Sequence, residues 1–67
     1  MYIEFKASYG PTLFVNIEDI YLEKRETTFY AIGVYNGKEY DITEETYDYI
    51  MEKFVEFAGG NDAESES

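Results

Sequence analysis

The sequence predicts an α+β domain: an antiparallel β-sheet of four or five strands with one C-terminal α-helix packed on one face. Three observations lead there. Apolar and polar residues alternate along the first two thirds of the chain. Asn36-Gly37 lies between two such stretches, which is a strong short-range hairpin signal. From Thr43 onward the apolar spacing becomes helical. The chain has 67 residues, of which 45% are apolar and 19% aromatic, with eight Tyr and five Phe. That length holds one core. The aromatic load sets residues 1–58 apart from disordered acidic chains. Residues 59–67 read as an acidic, disordered tail.

Residues 2–8 form the first strand, with Ile3, Phe5 and Ala7 on one face and Glu4, Lys6 and Ser8 on the other. Gly10-Pro11 interrupts it. Residues 12–16 resume with Leu13 and Val15 on one side, and Asn16 to Asp19 make a short connection. In the third strand, residues 20–24, Ile20 and Leu22 alternate with Tyr21 and Glu23. Lys24 to Thr27 is a polar turn. Residues 28–35 are β-branched and aromatic, as strands prefer. Lys38 to Ile42 returns as the fifth strand. A three-residue loop, Tyr35 to Gly37, sets Ile32 opposite Tyr40 and Tyr30 opposite Ile42. It keeps one face apolar, with Gly37 left-handed in a G1 bulge.

Thr43 is a good helix N-cap, and Glu44 and Glu45 occupy the first turn, where the helix dipole favours anions. Ile42 and Tyr47 are placed to form a hydrophobic staple. Tyr47, Ile50, Phe54 and Phe57 give the apolar stripe, widened by Met51 and Ala58. Gly59-Gly60 marks the expected stop.

Charge narrows the function. Fifteen acids against five bases give a net charge of −10. A basic, phosphate-gripping surface is excluded, so no direct nucleic-acid binding is expected. Docking on an anionic membrane is disfavoured too. With no Cys and no His, thiolate chemistry and the commonest general base and metal ligand are missing. An enzyme is therefore not expected, and neither is a cofactor or metal. Asp41 to Glu52 has the outer spacing of a calcium loop, but Thr46 stands where that loop needs Gly. A single small core offers no cleft for a carboxylate pair to cut glycosides. No signal segment or membrane span is visible, so a cytoplasmic protein, in a bacterial host cell, is expected.

The acids are unevenly spread. Residues 1–38 have a net charge of −1, and residues 39–56 have −6. Asp48 and Glu52, and Glu52 and Glu56, repel at i, i+4 spacing, at a cost of roughly 0.2–0.5 kcal/mol per pair. A solvated helix face explains the pattern. So does a surface that meets something strongly basic, with steered, salt-sensitive association. Tyr9, Tyr21, Tyr35 and Tyr49 are either anchors for such a partner or sheet-packing residues.

Tyr35-Asn36-Gly37-Lys38-Glu39-Tyr40-Asp41-Ile42-Thr43-Glu44, with Ile50-Met51-Glu52-Lys53-Phe54, resembles the last hairpin and helix of the listerial-type phage-encoded anti-CRISPR inhibitors of type II-A effector nucleases. The resemblance covers residues 34–57. It implies a DNA mimic, a nuclease inhibitor whose acidic hairpin enters the site where the nuclease reads the protospacer-adjacent motif. Such sites read guanines with paired Arg. Glu39 matches the family's acidic contact and Gly37 its turn. Asn36 stands where the family has Asp, and Lys38 where it has Asn. The hairpin–hairpin–helix order, from Leu13 through Ile50, is also similar to the small flagellar FlbD-type proteins.

The leading expectation is a small acidic phage or mobile-element protein that binds a basic nucleic-acid-binding protein, acting as monomer or homodimer. Asn36 and Gly37 would shape the turn. Glu39, Asp41, Glu44, Glu45, Asp48 and Glu52 would carry the charge. The alternative is a non-enzymatic adaptor or regulatory module that docks on a partner protein.

Overall fold

The computed structural model describes residues 1–66, with side chains described through Ala58. Five antiparallel strands precede one helix, but the strands divide into two sheets. β1 (Tyr2–Lys6) and β2 (Thr12–Asn16) form a hairpin, with Ile3 opposite Val15 and Phe5 opposite Leu13. β3 (Ile20–Arg25), β4 (Thr28–Gly33) and β5 (Glu39–Ile42) form a three-stranded meander. The single sheet expected from sequence is therefore split. The break falls at a 3-10 turn, Ile17–Asp19, where the Asn16 side chain accepts from the Glu18 amide at 3.1 Å. That local bond competes with the strand ladder, and fully buried Ile17 pins the turn inside. Backbone bonds from Ser8 N–H to the Asp41 carbonyl (2.8 Å) and from Val34 N–H to the Asp19 carbonyl (2.9 Å) tie neighbouring segments together.

α1 (Glu44–Glu66) begins as its sequence indicates. The Thr43 hydroxyl oxygen accepts from the Thr46 amide at 3.1 Å, satisfying one of the helix's unpaired donors. Ile42 and Tyr47, the proposed staple, join the same core cluster. The helix bounds run past Gly59-Gly60. Glycine weakens a helix by about 1 kcal/mol per residue but keeps its N–H donor, so it does not forbid one. The tail expected from residue 59 lies outside the residues whose side chains are described.

The core has three layers. Ile3 and Phe5 come from β1, Ile17 from the turn, and Ile20, Ala31 and Ile42 from the meander, while Ile50 comes from the helix. Strand alternation puts Ile20, Leu22, Phe29, Ala31, Tyr40 and Ile42 on one face of the meander. The helix covers that face with Tyr47, Ile50, Phe54 and Phe57, and the Phe29 and Tyr47 rings meet at 4.8 Å and 55°. Met51 and Ala58 are exposed, so the buried stripe is narrower than the sequence suggests. The outer carboxylates cover the rest of the helix.

The last hairpin differs by one residue from its expected register. Ile32 faces Glu39 and Ala31 faces Tyr40, which leaves a four-residue loop, Val34 to Gly37. Two packing facts select this pairing. It brings Phe29 under Tyr47 on the helix side, and the loop closes on itself. Gly37 is left-handed at φ +67°, and Asn36 Oδ1 accepts from the Lys38 amide at 2.9 Å. A Cβ on Gly33 would overlap that same Oδ1 atom. The expected turn roles of Asn36 and Gly37 hold, in a longer loop than a G1 bulge.

Two outcomes test this packing. Ile50 has 0% exposure, so Ile50→Ala should cost roughly 2–5 kcal/mol. Against a total of about 3–10 kcal/mol for a chain this size, that is a large share, and urea titration should find a much lower midpoint than the parent's. Glu26 adopts φ +55° in the two-residue β3–β4 turn, a region that costs a non-glycine residue about 1–2 kcal/mol. Glu26→Gly should therefore raise the thermal midpoint by several degrees.

Candidate partner-binding surfaces

The eight residues singled out from sequence do not form one face. Period-two alternation puts Glu39 and Asp41 on the side of β5 opposite Tyr40 and Ile42. Ile42 joins the core cluster with Ile50 and Tyr47 of the helix, so Glu39 and Asp41, on the opposite side of β5, face away from it. Glu44, Glu45, Asp48 and Glu52 lie along the exposed ridge of α1, on the other side of the meander. The corner between β5 and α1 links the two groups. Asp41 lines one shallow depression with Tyr9 and Glu39, and a second with Thr28 and Glu44. Glu45 lines a third, beside Glu4 and Lys6 of β1.

Glu39 is already engaged. Arg25, at the end of β3, donates from Nη1 and Nη2 to its two carboxylate oxygens at 3.0 and 2.6 Å. The Nε of Arg25 donates to Glu23 on the same strand. The guanidinium carbon lies 4.7 Å from the centroid of the Tyr30 ring on the intervening strand. This fork-to-fork pair crosses all three strands of the meander, and its planar geometry suits an arginine stacked on an aromatic face. Hydrogen bonding to Arg25 holds the Glu39 carboxyl below its usual range, and Glu39 and then Glu23 hold the guanidinium proton more tightly. Sequence reading treated Glu39 as a free negative charge. Its partner stands 14 residues away, and no local pattern announces it.

The helix ridge is different. No Lys or Arg among the described residues forms an ion pair with Glu44, Glu45, Asp48 or Glu52. Lys53 instead pairs with Glu56 at 3.3 Å, which raises its proton affinity, and its ammonium stands 5.5 Å from the Tyr49 ring centroid. Among the described residues, no group of three or more acids is arranged to hold a metal ion. None of their helices is long and apolar enough to cross a membrane.

All four tyrosines weighed as anchors are exposed, most of all Tyr9 at 93% and Tyr35 at 86%. Two further exposed aromatics were missed. Tyr2 and Phe14 stack on the outer face of the first hairpin, with centroids 5.3 Å apart and planes at 14°. The signal was available, since alternation puts both beside Glu4 and Lys6 on the polar face. Near them a groove of about 280 Å³ opens between β2 and the meander, lined by Leu13, Phe14, Val15, Ile20, Tyr35 and Tyr40 among others.

Comparison with known proteins gives no match: no protein-family model, curated protein or solved structure is similar to the chain.

The Arg25–Glu39 bond sets an acid dependence. Because the folded carboxyl titrates below its unfolded value near about 4.3, its contribution is complete above that value. It is lost as pH falls through the depressed folded range. Glu39→Gln should therefore be less stable than the parent at pH 7. The two should converge as pH drops below about 4, measured as urea midpoints across that range.

Proposed function

We propose that this protein is a small, non-enzymatic acidic module. It docks on a basic nucleic-acid-binding surface of a partner protein and excludes DNA from it. The observation that carries this reading is the exposed ridge of Glu44, Glu45, Asp48 and Glu52, whose carboxylates have no ion-pair partner among the described residues. At a rise of 1.5 Å per residue, these four charges span about 12 Å of helix axis, with a mean interval of about 4 Å and individual gaps of about 1.5 to 6 Å. One strand of DNA carries a charge every ~3.4 Å. The mean charge density is comparable, and the helix fixes the backbone positions of these charges in advance, so little chain entropy is lost in arranging them on binding. Tyr49 stands beside the ridge as an exposed aromatic contact.

The partner proposed is a type II CRISPR effector nuclease, at the Arg-lined site that reads its protospacer-adjacent motif. This assignment rests on the resemblance of residues 34–57 to the anti-CRISPR hairpin and helix. In that reading the module is a phage or mobile-element inhibitor acting in the bacterial cytoplasm. Glu39 contributes only by exchanging Arg25 for an arginine of the nuclease, so the ridge supplies most of the charge and Asp41 joins it at the corner.

The variant Glu44→Gln/Glu45→Gln/Asp48→Asn/Glu52→Gln tests the proposal. All four positions are exposed, so the fold should survive. The parent should compete with target DNA for type II effectors, with affinity falling steeply between 50 and 300 mM salt. The variant should lose most of that competition. Equal competition by parent and variant, or none by either against effectors from several Gram-positive hosts, would overturn it.

A further inference from the structure

We propose that the free edge of β2, with the groove beside it, is a strand-addition site for an extended, basic segment of a partner protein. This site is separate from the acidic ridge. Its backbone is the first reason. Ala7 N–H bonds the Pro11 carbonyl and Ile17 N–H bonds the Met1 carbonyl, which fixes the phase of the antiparallel ladder between them. Residues 13 and 15 then bond across to β1, while Thr12 and Phe14 turn their N–H and C=O groups outward and the Asn16 carbonyl opens the 3-10 turn. Among the described residues, β2 pairs with no strand but β1, and no turn or loop backbone group takes these outward donors and acceptors. An exposed row of this kind is a template for pairing with another chain.

The second reason is what lies beside the edge. An added strand places alternate side chains on each face, and pockets for them supply the specificity. Here one face meets the apolar groove of about 280 Å³, between Leu13, Val15, Ile20 and Tyr40. The other meets the exposed Tyr2–Phe14 stack, which also borders the groove. Tyr35, in the β4–β5 loop, lines the same groove at 86% exposure. These aromatics give broad contact for little lost rotamer entropy.

Charge selects the occupant. Asp19 is the charged residue that lines the groove, with exposed Glu18 next to it. Glu4 stands opposite Phe14 in the hairpin, with Lys6 opposite Thr12 at its far end. Lys38 lies 5.4 Å from the Tyr40 ring centroid, at the groove's other boundary. A second copy would bring another −10 against this surface, and like charges at an interface oppose association. The fitting occupant is an extended segment with an aromatic or β-branched side chain for the groove and Lys or Arg beside Asp19.

A defined peptide tests this. The probe is arginine-valine-phenylalanine-valine-arginine, acetylated and amidated, added to the isotope-labelled full chain. Saturable shifts should appear at Phe14, Val15 and Tyr35, with new hydrogen-exchange protection at the Phe14 amide. Phe14→Ala and Tyr35→Ala, both at exposed positions, should each weaken binding about tenfold or more. The helix variant lacking the four ridge carboxylates should keep the groove shifts, which separates this site from the proposed DNA-mimicking face. The same peptide with glutamate in place of arginine should bind at least tenfold more weakly. Several results would overturn the proposal: no saturation, equal binding of the glutamate peptide, shifts confined to the helix ridge, or sedimentation showing a dimer closed through β2.

Discussion

The structure depends on a contact between three layers, made at Ile50. Its side chain has no exposure and belongs to the cluster that joins Ile3 and Phe5 of the first hairpin to Ile20, Ala31 and Ile42 of the meander. With no cysteine in the chain and no acidic cluster suited to a metal among the described residues, this apolar seam must hold the elements together. Small domains bury a modest share of their surface, so few residues carry the load. The buried residues are all apolar, with no polar side chain among them, and no buried polar atom lacks a hydrogen-bond partner among the described residues. The polar groups are thereby left on the outside, where their positions follow from how the core is oriented.

That orientation separates the negative charges. One face of the meander must lie under the helix, so Tyr40 and Ile42 turn inward and Glu39 and Asp41 turn outward. On the helix, Tyr47, Ile50, Phe54 and Phe57 take the inner face, and Glu44, Glu45, Asp48 and Glu52 keep the ridge. Arg25 then neutralises Glu39 across three strands, while the ridge has no such partner among the described residues. Two surfaces of different character result. One is a rigid row of carboxylates, and the other is an aromatic-rimmed groove along an unpaired strand edge. Were both proposed contacts made on one partner, linking them would raise overall affinity without enlarging either one.

The local features were legible because they depend on neighbouring residues. Thr43 caps the helix through an atom three residues from its target, and Asn36 and Gly37 shape a turn within themselves. Alternation identified the inward faces of β1 and β3, while the one-residue shift in the last hairpin reverses the expected face of β4, putting Phe29 and Ala31 beside Ile42 and Tyr40. The Tyr2–Phe14 stack was legible in the same way, though alternation was read there for the core and not for the surface.

By itself the sequence determined the fold class, the order of five strands and one helix, the capping and turn residues, and the large excess of negative charge in residues 39–56. Each of these follows from short-range periodicity, backbone preference or simple counting. Tertiary structure alone decided the division into two sheets, the one-residue shift that sets Ile32 against Glu39, the pairing of Arg25 with Glu39, and the groove beside β2. These depend on which distant surfaces meet. The packing of Phe29 under Tyr47, and the closing of a four-residue loop around Gly33, choose among registers that local pattern leaves nearly equal.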